Sequence, residues 1–295
     1  MGNIDLHIHS IHSDDGEYTV ESLIRQAEEA GLSVAAIADH DSVNACLERH
    51  RMNLKTSTRW IDAIEISCRH KGRDYHLLGY FIDPFDPRYE KLEENMRINE
   101  EAATQERLDL LASHFGFAFP MDALRHVAKG KLITGEVICE WLLENEENRK
   151  VEELRKYFPG GSRSDNPLVN FYWDYLSQGK IAYVEVDVPS MSESIRLVHE
   201  TGGIAVLAHP GNNVKEDKAV LDELSSLGLD GIEAFSSYHG ELQNAFYIAY
   251  AKKMNLLFTC GSDYHGKTKP KIKLGLTHCP CDAQAIVEMM ERGRK

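Results

Sequence analysis

Short apolar segments alternate with amphipathic helical segments at both ends of this 295-residue chain. Such an alternation is typical of a parallel sheet or barrel with helices packed outside it. The segments predicted as strands are Ile4 to Ile8, Val34 to Ala38, Trp60 to Ile66, Tyr75 to Phe81, Gly203 to Ala208, Gly231 to Phe235 and Leu256 to Cys260. The pattern therefore predicts an α/β fold, and the length allows one barrel or two ordinary domains.

The middle of the chain lacks this alternation. From about Pro84 to Gly179 the sequence is helical in pattern and begins with a long, charged amphipathic stretch. We predict a helical insertion, residues 85–179, in a catalytic barrel formed by residues 1–84 and 180–295. The insertion is expected to cap the substrate.

Composition limits the partners and the compartment. A formal net charge of -14 at pH 7 disfavours duplex nucleic acid, which needs many phosphate contacts, so a phosphorylated substrate is expected to be small. No run of about 18 apolar residues predicts a membrane span, and no secretory signal pattern opens the chain. The six cysteines include no CxxC pair, which fits reduced thiols. We expect a cytoplasmic protein without membrane contact, and the sequence makes no prediction of an oligomeric state.

Histidines and carboxylates stand at the ends of the predicted strands. His7 and His9 alternate along the first strand, so their imidazoles share one face and can act as a chelating pair. A single histidine at a strand end is more often structural, but groups at seven strand ends meet at one rim if the strands are parallel. The later groups are Asp39, His40, Asp41, Glu65, His76, His209, Glu233, Asp263 and His265. Without a thiolate, this donor set suits manganese, iron or zinc, argues against copper, and is large enough for two or three ions.

Seven motifs, DLHIHS, SDDG, ADHDS, IEIS, HLLGY, LAHPG and GSDYH, occur in an order and spacing that resemble the polymerase and histidinol phosphatase (PHP) family of metal-dependent phosphoesterases. The resemblance covers about residues 1–84 and 180–279 and is closest to the stand-alone branch with a helical insertion. It implies a distorted (β/α)7 barrel, similar to a TIM barrel, with a trinuclear site. Manganese is the first expectation for its ions, ahead of iron or zinc.

The resemblance also implies nine metal ligands. These are His7, His9, Glu65 and Asp263 on one ion, Glu65 with His76 and His209 on a second, and Asp14, His40 and His265 on a third. The Ser-Asp pattern of the family favours Asp14 over the adjacent Asp15. Asp5, on the strand face of His7, is expected to orient an imidazole.

The implied reaction is hydrolysis of a P–O ester by a hydroxide that bridges two ions, while the ions neutralise the phosphoryl oxygens. The leaving group still needs a proton donor, for which Asp39, Asp41 and His239 are candidates. His239 is also predicted to bind substrate, although its position fits the first turn of a helix ending near Lys252 equally well.

The nucleotide-cleaving members of the resembled branch carry an insertion motif similar to GRPHIA, whose Arg and His can meet substrate phosphate. The corresponding stretch here, KLITGEVICEW at 131–141, has neither residue. Lys180, Arg163 and Lys131 are the predicted replacements, and Lys180 is preferred because it leads back into the barrel.

This difference favours sequential hydrolysis of a cyclic ribose phosphate, first the diester and then the monoester. The alternatives are a 3',5'-bisphosphonucleotide or oligonucleotide phosphatase, a histidinol phosphate phosphatase and, from another class, a non-catalytic PHP module. Against the module, the ligand set is complete and no polymerase segment accompanies it.

Overall fold

Seven strands form one sheet in chain order in the computed structural model, which describes residues 3–52 and 54–294. Residues 1–2, 53 and 295, which belong to the predicted barrel segments, lie outside the described part. The strands are β1 (Ile4–Ile8), β2 (Val34–Ile37), β3 (Arg59–His70), β4 (Arg73–Tyr80), β5 (Ile204–Leu207), β6 (Gly231–Ser236) and β7 (Leu257–Gly261). All seven predicted strands are present, with small changes at their ends.

The first and last strands meet, so the sheet is nearly closed into a barrel. The Asp263 N–H donates to the His7 carbonyl oxygen at 2.8 Å, and the His9 N–H donates to the Tyr264 carbonyl oxygen at 2.9 Å. These bonds lie where β1 ends and the chain leaves β7. The predicted distorted (β/α)7 barrel is confirmed.

One strand runs against the others. The β1, β2 and β3 strands are parallel, as are β5, β6 and β7, but β4 is antiparallel to both of its neighbours. Lys71 and Gly72, with φ values of 47° and 72°, form the two-residue turn that reverses the chain after β3. The parallel pattern that the sequence indicates therefore does not hold at this hairpin.

The helices follow the predicted alternation in the barrel and fill the middle of the chain. They are α1 (Val20–Glu29), α2 (Asn44–Arg51), α3 (Pro87–Phe115), α4 (Met121–Ala128), α5 (Gly135–Glu144), α6 (Pro167–Phe171), α7 (Met191–Glu200), α8 (Pro210–Asn213), α9 (Lys218–Ser226), α10 (Glu241–Met254) and α11 (Ala283–Gly293). Thr19 and Ser190 cap α1 and α7, because their side chains accept backbone N–H groups of the first turn. Within the described ranges, 3–52 and 54–294, no helix combines the length and apolar character needed to cross a bilayer.

Two separate hydrophobic clusters divide most of the buried apolar residues. One fills the barrel and the space beneath its outer helices. The other lies wholly between Leu108 and Ala182 and packs α4, α5 and α6 around residues such as Phe171 and Ile138. The helical segment, residues 85–179, thus has a hydrophobic core of its own.

Candidate metal centre

The chelating pair on β1 is fully buried and oriented from behind. The Nδ1 atom of His7 lies 2.9 Å from Glu233 Oε1, and that of His9 lies 3.0 Å from Ser13 Oγ. These contacts leave both Nε2 atoms directed at Glu65 and Asp263. His7 Nε2 is 3.0 Å from Glu65 Oε2, and His9 Nε2 is 3.0 Å from Asp263 Oδ1.

Glu65 stands at the centre of a second group. Its Oε1 lies 2.9 Å from His209 Nε2 and 3.0 Å from His76 Nδ1, while its Oε2 lies 3.1 Å from His40 Nδ1. His76 reaches this rim because β4 is reversed: its carbonyl accepts the Ala208 N–H at 3.1 Å, so the start of β4 is level with the end of β5.

A third group lies between the ends of β1, β2 and β7. It consists of His9, Asp15, His40 and His265, whose ligand atoms all lie within 4.8 Å of one another. Asp15 Oδ2 is 3.1 Å from His265 Nε2. The three groups share His9, His40 and Glu65, so they form one continuous cluster.

The donor atoms fit divalent ions. Seven of the buried atoms in the cluster have no hydrogen-bond partner among the described residues: His7 Nε2, His9 Nε2, Asp15 Oδ1, Glu65 Oε2, His209 Nδ1, Asp263 Oδ1 and His265 Nε2. Buried carboxylates without neutralising partners are costly. Burial lowers the pKa of His9, but Asp263 and Glu65 outweigh it and raise that pKa to about 9. The cluster therefore holds protons when cations are lacking, and divalent ions can replace them.

Three residues at the rim have unusual backbone conformations. Asp41, His209 and Asp263 have φ values of 54°, 24° and 59°. Positive φ is strained for residues other than glycine and is concentrated at functional sites. It turns these side chains toward the cluster where the strands end.

The structure corrects the choice between the two adjacent aspartates. Asp15 faces His265, whereas Asp14 Oδ1 accepts the Leu132 N–H at 2.9 Å. Asp14 thus joins the loop after β1 to the helical segment, and the geometry favours Asp15 as the ligand. The other eight predicted ligands lie in the cluster, and their assignment to individual ions remains a prediction.

The structure corrects two of the three predicted proton donors, Asp39 and His239, because their polar atoms make hydrogen bonds within the fold. Asp39 accepts the Ser10 N–H and Ser10 hydroxyl, both at 2.6 Å, and the Ser13 hydroxyl at 3.0 Å, so it orders the loop after β1. His239 Nε2 accepts the Gly211 N–H at 2.9 Å, and its Nδ1 lies 3.1 Å from the Ala234 carbonyl oxygen. With both ring nitrogens engaged, His239 fastens α8 to the loop after β6 and has no free atom for substrate.

The third candidate, Asp41, remains available. Its Oδ1 accepts the Ser67 N–H at 2.8 Å, and the Ser67 side chain also hydrogen-bonds the carboxyl group. Burial raises the pKa of Asp41 to about 7, despite the hydrogen bonds from Ser67 and the charge of His76. A carboxyl group in this state can carry a proton near neutral pH.

Two of the three cationic side chains predicted to bind substrate phosphate, those of Lys131 and Arg163, contact other groups of the protein. Lys131 Nζ donates to the carbonyl oxygens of Ser13 at 2.7 Å and Gly16 at 3.0 Å. Arg163 pairs with Asp174 at 2.8 Å inside the helical segment. Lys180 is exposed, and its side chain has no hydrogen bond to the described residues. The geometry opposes the predictions for Lys131 and Arg163, because two carbonyl oxygens hold Lys131 and Asp174 pairs with Arg163, and leaves that for Lys180 as a prediction.

The orienting carboxylate of His7 is Glu233 rather than Asp5. Asp5 accepts the Ser262 N–H at 2.8 Å, the Ser262 hydroxyl at 2.6 Å and the Gly275 N–H at 2.8 Å. Glu233 instead contacts His7 Nδ1 and also accepts the His209 N–H at 2.7 Å. The expectation for Asp5 was therefore wrong, because its oxygens hold the loop after β7.

Two residues at the site were missed by sequence reasoning. Lys269 Nζ lies 2.6 Å from Asp263 Oδ2, the same oxygen that accepts the Tyr238 hydroxyl. Lys269 belongs to the stretch KTKPKIK, which has the appearance of an exposed basic loop, and only tertiary packing distinguishes it from its neighbours. Tyr238 stands one position before His239, so the motif pointed to the site but to the wrong residue of it.

The first turn of α5 brings a carboxyl group of the helical segment to the cluster. Thr134 caps this helix by accepting the Val137 N–H at 3.4 Å. Burial raises the pKa of Glu136, in the same turn, to about 7; the charge of Asp15 adds to the rise and the Lys269 ammonium opposes it. The helical segment thus presents an acid, and not a cation, to the cluster.

Comparison with known proteins agrees with this geometry. The PHP domain family matches residues 5–158 of the chain. A phosphoribosyl 1,2-cyclic phosphate 1,2-diphosphodiesterase of Eggerthella lenta is 28% identical over 265 residues, which cover 89% of this chain and 94% of that enzyme. A 3',5'-nucleoside bisphosphate phosphatase of Chromobacterium violaceum is 26% identical over 90% of this chain and 88% of that protein. A 5'-3' exoribonuclease of Haemophilus influenzae is 26% identical over 88% of this chain and 89% of that enzyme.

Solved structures are similar as well. A Bifidobacterium adolescentis protein, whose expected activity is that of a metal-dependent phosphoesterase, superposes with a TM-score of 0.73 at 25% identity and covers 99% of this chain and 96% of that one. A Chromobacterium violaceum amidohydrolase, solved with sulfate and without metal, has a TM-score of 0.78 at 23% identity and covers 98% of this chain and 97% of that one. The second likeness concerns the fold alone.

The barrel, the buried cluster of imidazoles and carboxylates, and the family match together define the class of protein. The chain belongs to the PHP domain family. It is a metal-dependent phosphoesterase, an enzyme that hydrolyses phosphoric esters with divalent metal.

Proposed function

We propose that this enzyme hydrolyses a small cyclic ribose phosphate diester and then the resulting monoester. The observation that carries the proposal is Glu136, a half-buried acid in the first turn of α5 whose carboxyl group is acted on by the charge of Asp15 in the metal cluster. A carboxylate there repels a second phosphate group, as a 3',5'-bisphosphonucleotide would present. A carboxyl group with a pKa of about 7 can instead exchange hydrogen bonds with a sugar hydroxyl.

The similarity to the Eggerthella lenta diphosphodiesterase supports this substrate class. The two relatives that act on bisphosphonucleotides or RNA are about as similar, so likeness alone does not choose between them. Glu136 on α5 is the observation that favours a cyclic ribose phosphate over a nucleotide.

We propose a trinuclear site held by the eight predicted ligands in the cluster and by Asp15 in place of Asp14, with manganese ahead of iron or zinc. Divalent ions bound there would lower the pKa of a bound water molecule and neutralise phosphoryl oxygens. Glu233 and Ser13 would keep the imidazoles of His7 and His9 in orientation.

Asp41 is our choice of proton donor. It follows His40 directly at the rim, and its carboxyl group can give a proton to the departing alkoxide oxygen. After the transfer, the carboxylate retains the Ser67 N–H bond, which stabilises its negative charge.

We further propose that residues 85–179 form a domain that caps the substrate on the barrel of residues 1–84 and 180–295. The contacts of Lys131 and Leu132 with the loop after β1 support this role, since they seat the segment beside the cluster. A cytoplasmic location is supported by six free cysteines, five of them buried.

A substrate profile with the manganese-loaded enzyme tests the proposed function. Release of phosphate and appearance of the monoester are followed with a cyclic ribose phosphate, 3',5'-bisphosphoadenosine, a short oligoribonucleotide and histidinol phosphate. We expect the cyclic phosphate to have the highest kcat/KM. A preference for the bisphosphonucleotide or RNA would replace the proposed substrate with a nucleotide, and activity on histidinol phosphate alone would replace it with that monoester.

Metal analysis tests the non-catalytic alternative. We expect two to three equivalents of divalent metal in the purified protein and loss of activity in His9→Ala. A metal-free protein without activity on any phosphoester would favour a non-catalytic module.

A further inference from the structure

The loop after β7 carries four lysines at alternate positions, and they differ sharply in burial. Lys267, Lys271 and Lys273 are exposed. Lys269 is only 8% exposed. Lysine is rarely buried to this extent without a charged partner, because its ammonium loses solvation.

The position of Lys269 is determined by two residues of the site. Its Nζ lies 2.6 Å from Asp263 Oδ2, and it stands 5.6 Å from the centre of the Tyr238 ring. Tyr238 donates its hydroxyl to the same Asp263 oxygen. Asp263 therefore keeps Oδ2 for these two donors and Oδ1 for the imidazoles of His7 and His9.

Asp263 satisfies one of the three donors of the ammonium. Among the described residues, the side-chain hydrogen bond of good geometry that Lys269 Nζ makes is the one to Asp263 Oδ2. The charges that act on the side chain beyond Asp263 include Asp15 in the cluster, and Lys269 in turn acts on Glu136 of α5. The ammonium thus lies against the metal cluster, with donors beyond the one that Asp263 accepts.

We propose that Lys269 binds a non-bridging phosphoryl oxygen of the substrate and supplies the cation that the helical segment lacks. The inference rests on the proposed phosphoesterase site and identifies a substrate-contacting residue of it. The predicted alternatives are less suitable, since Lys131 Nζ is held by two carbonyl oxygens and Arg163 is paired with Asp174. The cation then comes from the loop after β7 and not from the helical segment.

The test compares Lys269→Met with Lys273→Met, an exposed lysine of the same loop, in manganese-loaded protein. The probe is inorganic phosphate, whose dissociation constant is measured by calorimetry, with metal content determined on the same samples. Loss of a charge-assisted hydrogen bond is expected to weaken phosphate binding about ten- to a hundredfold in Lys269→Met, at unchanged metal content. Lys273→Met is expected to bind phosphate like the wild-type protein, and Lys269→Arg to recover part of the loss.

Two results would overturn the inference. Wild-type phosphate affinity in metal-loaded Lys269→Met would show that the ammonium does not reach the ligand. Loss of metal from that variant would show that Lys269 acts only by holding Asp263. Failure of the proposed function looks different, because the wild-type holoenzyme would then hydrolyse none of the phosphoesters, whatever its affinity for phosphate.

Discussion

Adjacent residues at the cluster have opposite tasks because the loop after β1 turns between them. Asp14 faces the helical segment and accepts the Leu132 N–H, while Asp15 faces His265. The same division separates Tyr238, which contacts Asp263, from His239, which fastens Gly211. Of two consecutive residues, one can therefore face the cluster while the other contacts the surrounding fold.

Replacing each aspartate with asparagine tests whether Asp15 or Asp14 is the metal ligand. Asp15→Asn is expected to lose one equivalent of bound metal and at least about a hundredfold in kcat, because a ligand is removed and even its supporting contacts are worth ten- to a hundredfold. Asp14→Asn is expected to keep its metal, since it contacts only the Leu132 N–H. Metal content after dialysis decides, and the reverse result, metal loss in Asp14→Asn alone, would restore the original assignment.

Glu136 predicts a pH dependence of stability. Its pKa is raised from 4.5 to about 7, so between these values the folded protein keeps a proton that the unfolded chain has lost. The free energy of unfolding therefore falls as pH rises through this window, by up to about 3 kcal/mol for this group. In metal-free protein, Glu136→Gln is expected to be more stable than wild type at pH 8 and to show no such gain at pH 4.

Urea denaturation at the two pH values measures this difference. Glu144→Gln, an exposed position of the same helix, is the control and is expected to follow the wild type at both. A gain of equal size at pH 4 and pH 8 in Glu136→Gln would contradict an origin in ionisation.

Among the secondary-structure elements, β1 and β7 pack closely against each other at the site. A Cβ atom on Gly261 would lie 2.1 Å from His7 Cβ and 2.6 Å from Glu233 Oε1. Glycine at the end of β7 thus lets β1 bring the His7 imidazole against its orienting carboxylate. The reversed β4 has a similar effect, since it brings His76 to the rim from the start of a strand.

Gly261→Ala is expected to destabilise the protein by about 1–3 kcal/mol, the usual cost of overpacking, and to lower its metal content because His7 must move. Chemical denaturation and metal analysis on one preparation measure both effects. Gly240→Ala is the control, because a Cβ there meets no atom within 4 Å. Unchanged stability and metal content in Gly261→Ala would show that the join can open without cost.

In the whole molecule, the cluster joins residues from most of the barrel. Its members come from β1, β3 and β4 and from the chain that follows β1, β2, β5 and β7. Ions bound there would connect strands that are far apart in sequence, while the helical segment keeps a separate hydrophobic core. Bound ions would therefore stabilise the barrel as well as take part in the reaction.

Removal of metal is therefore expected to lower the melting temperature. A ligand that binds only the folded state adds about 2.7 kcal/mol when its concentration is a hundredfold above its dissociation constant. Thermal unfolding with manganese and with a chelator measures the difference in wild-type protein. His40→Ala should lose most of it, whereas His126→Ala, at an exposed position of α4, should retain it. Equal melting temperatures with and without metal in the wild type would contradict a structural role of the ions.

Much of the fold was predictable from the sequence because local patterns carry it. Apolar runs placed all seven strands, and Thr19 and Ser190 marked the starts of α1 and α7. The types of donor at the strand ends were also enough to predict a metal centre of imidazoles and carboxylates. Each of these features depends on a few neighbouring residues and their period.

The direction of β4, the choice of Asp15 and the burial of Lys269 were decided only by tertiary structure. A strand has the same pattern of side chains in either direction, and adjacent loop residues have no period that assigns one of them to a face. Lys269 differs from the exposed lysines around it through Asp263, which also follows β7, and Tyr238, which packs against it from the loop after β6. The sequence by itself determined the strands, caps and kinds of ligand, whereas long-range packing determined which individual side chains reach the site.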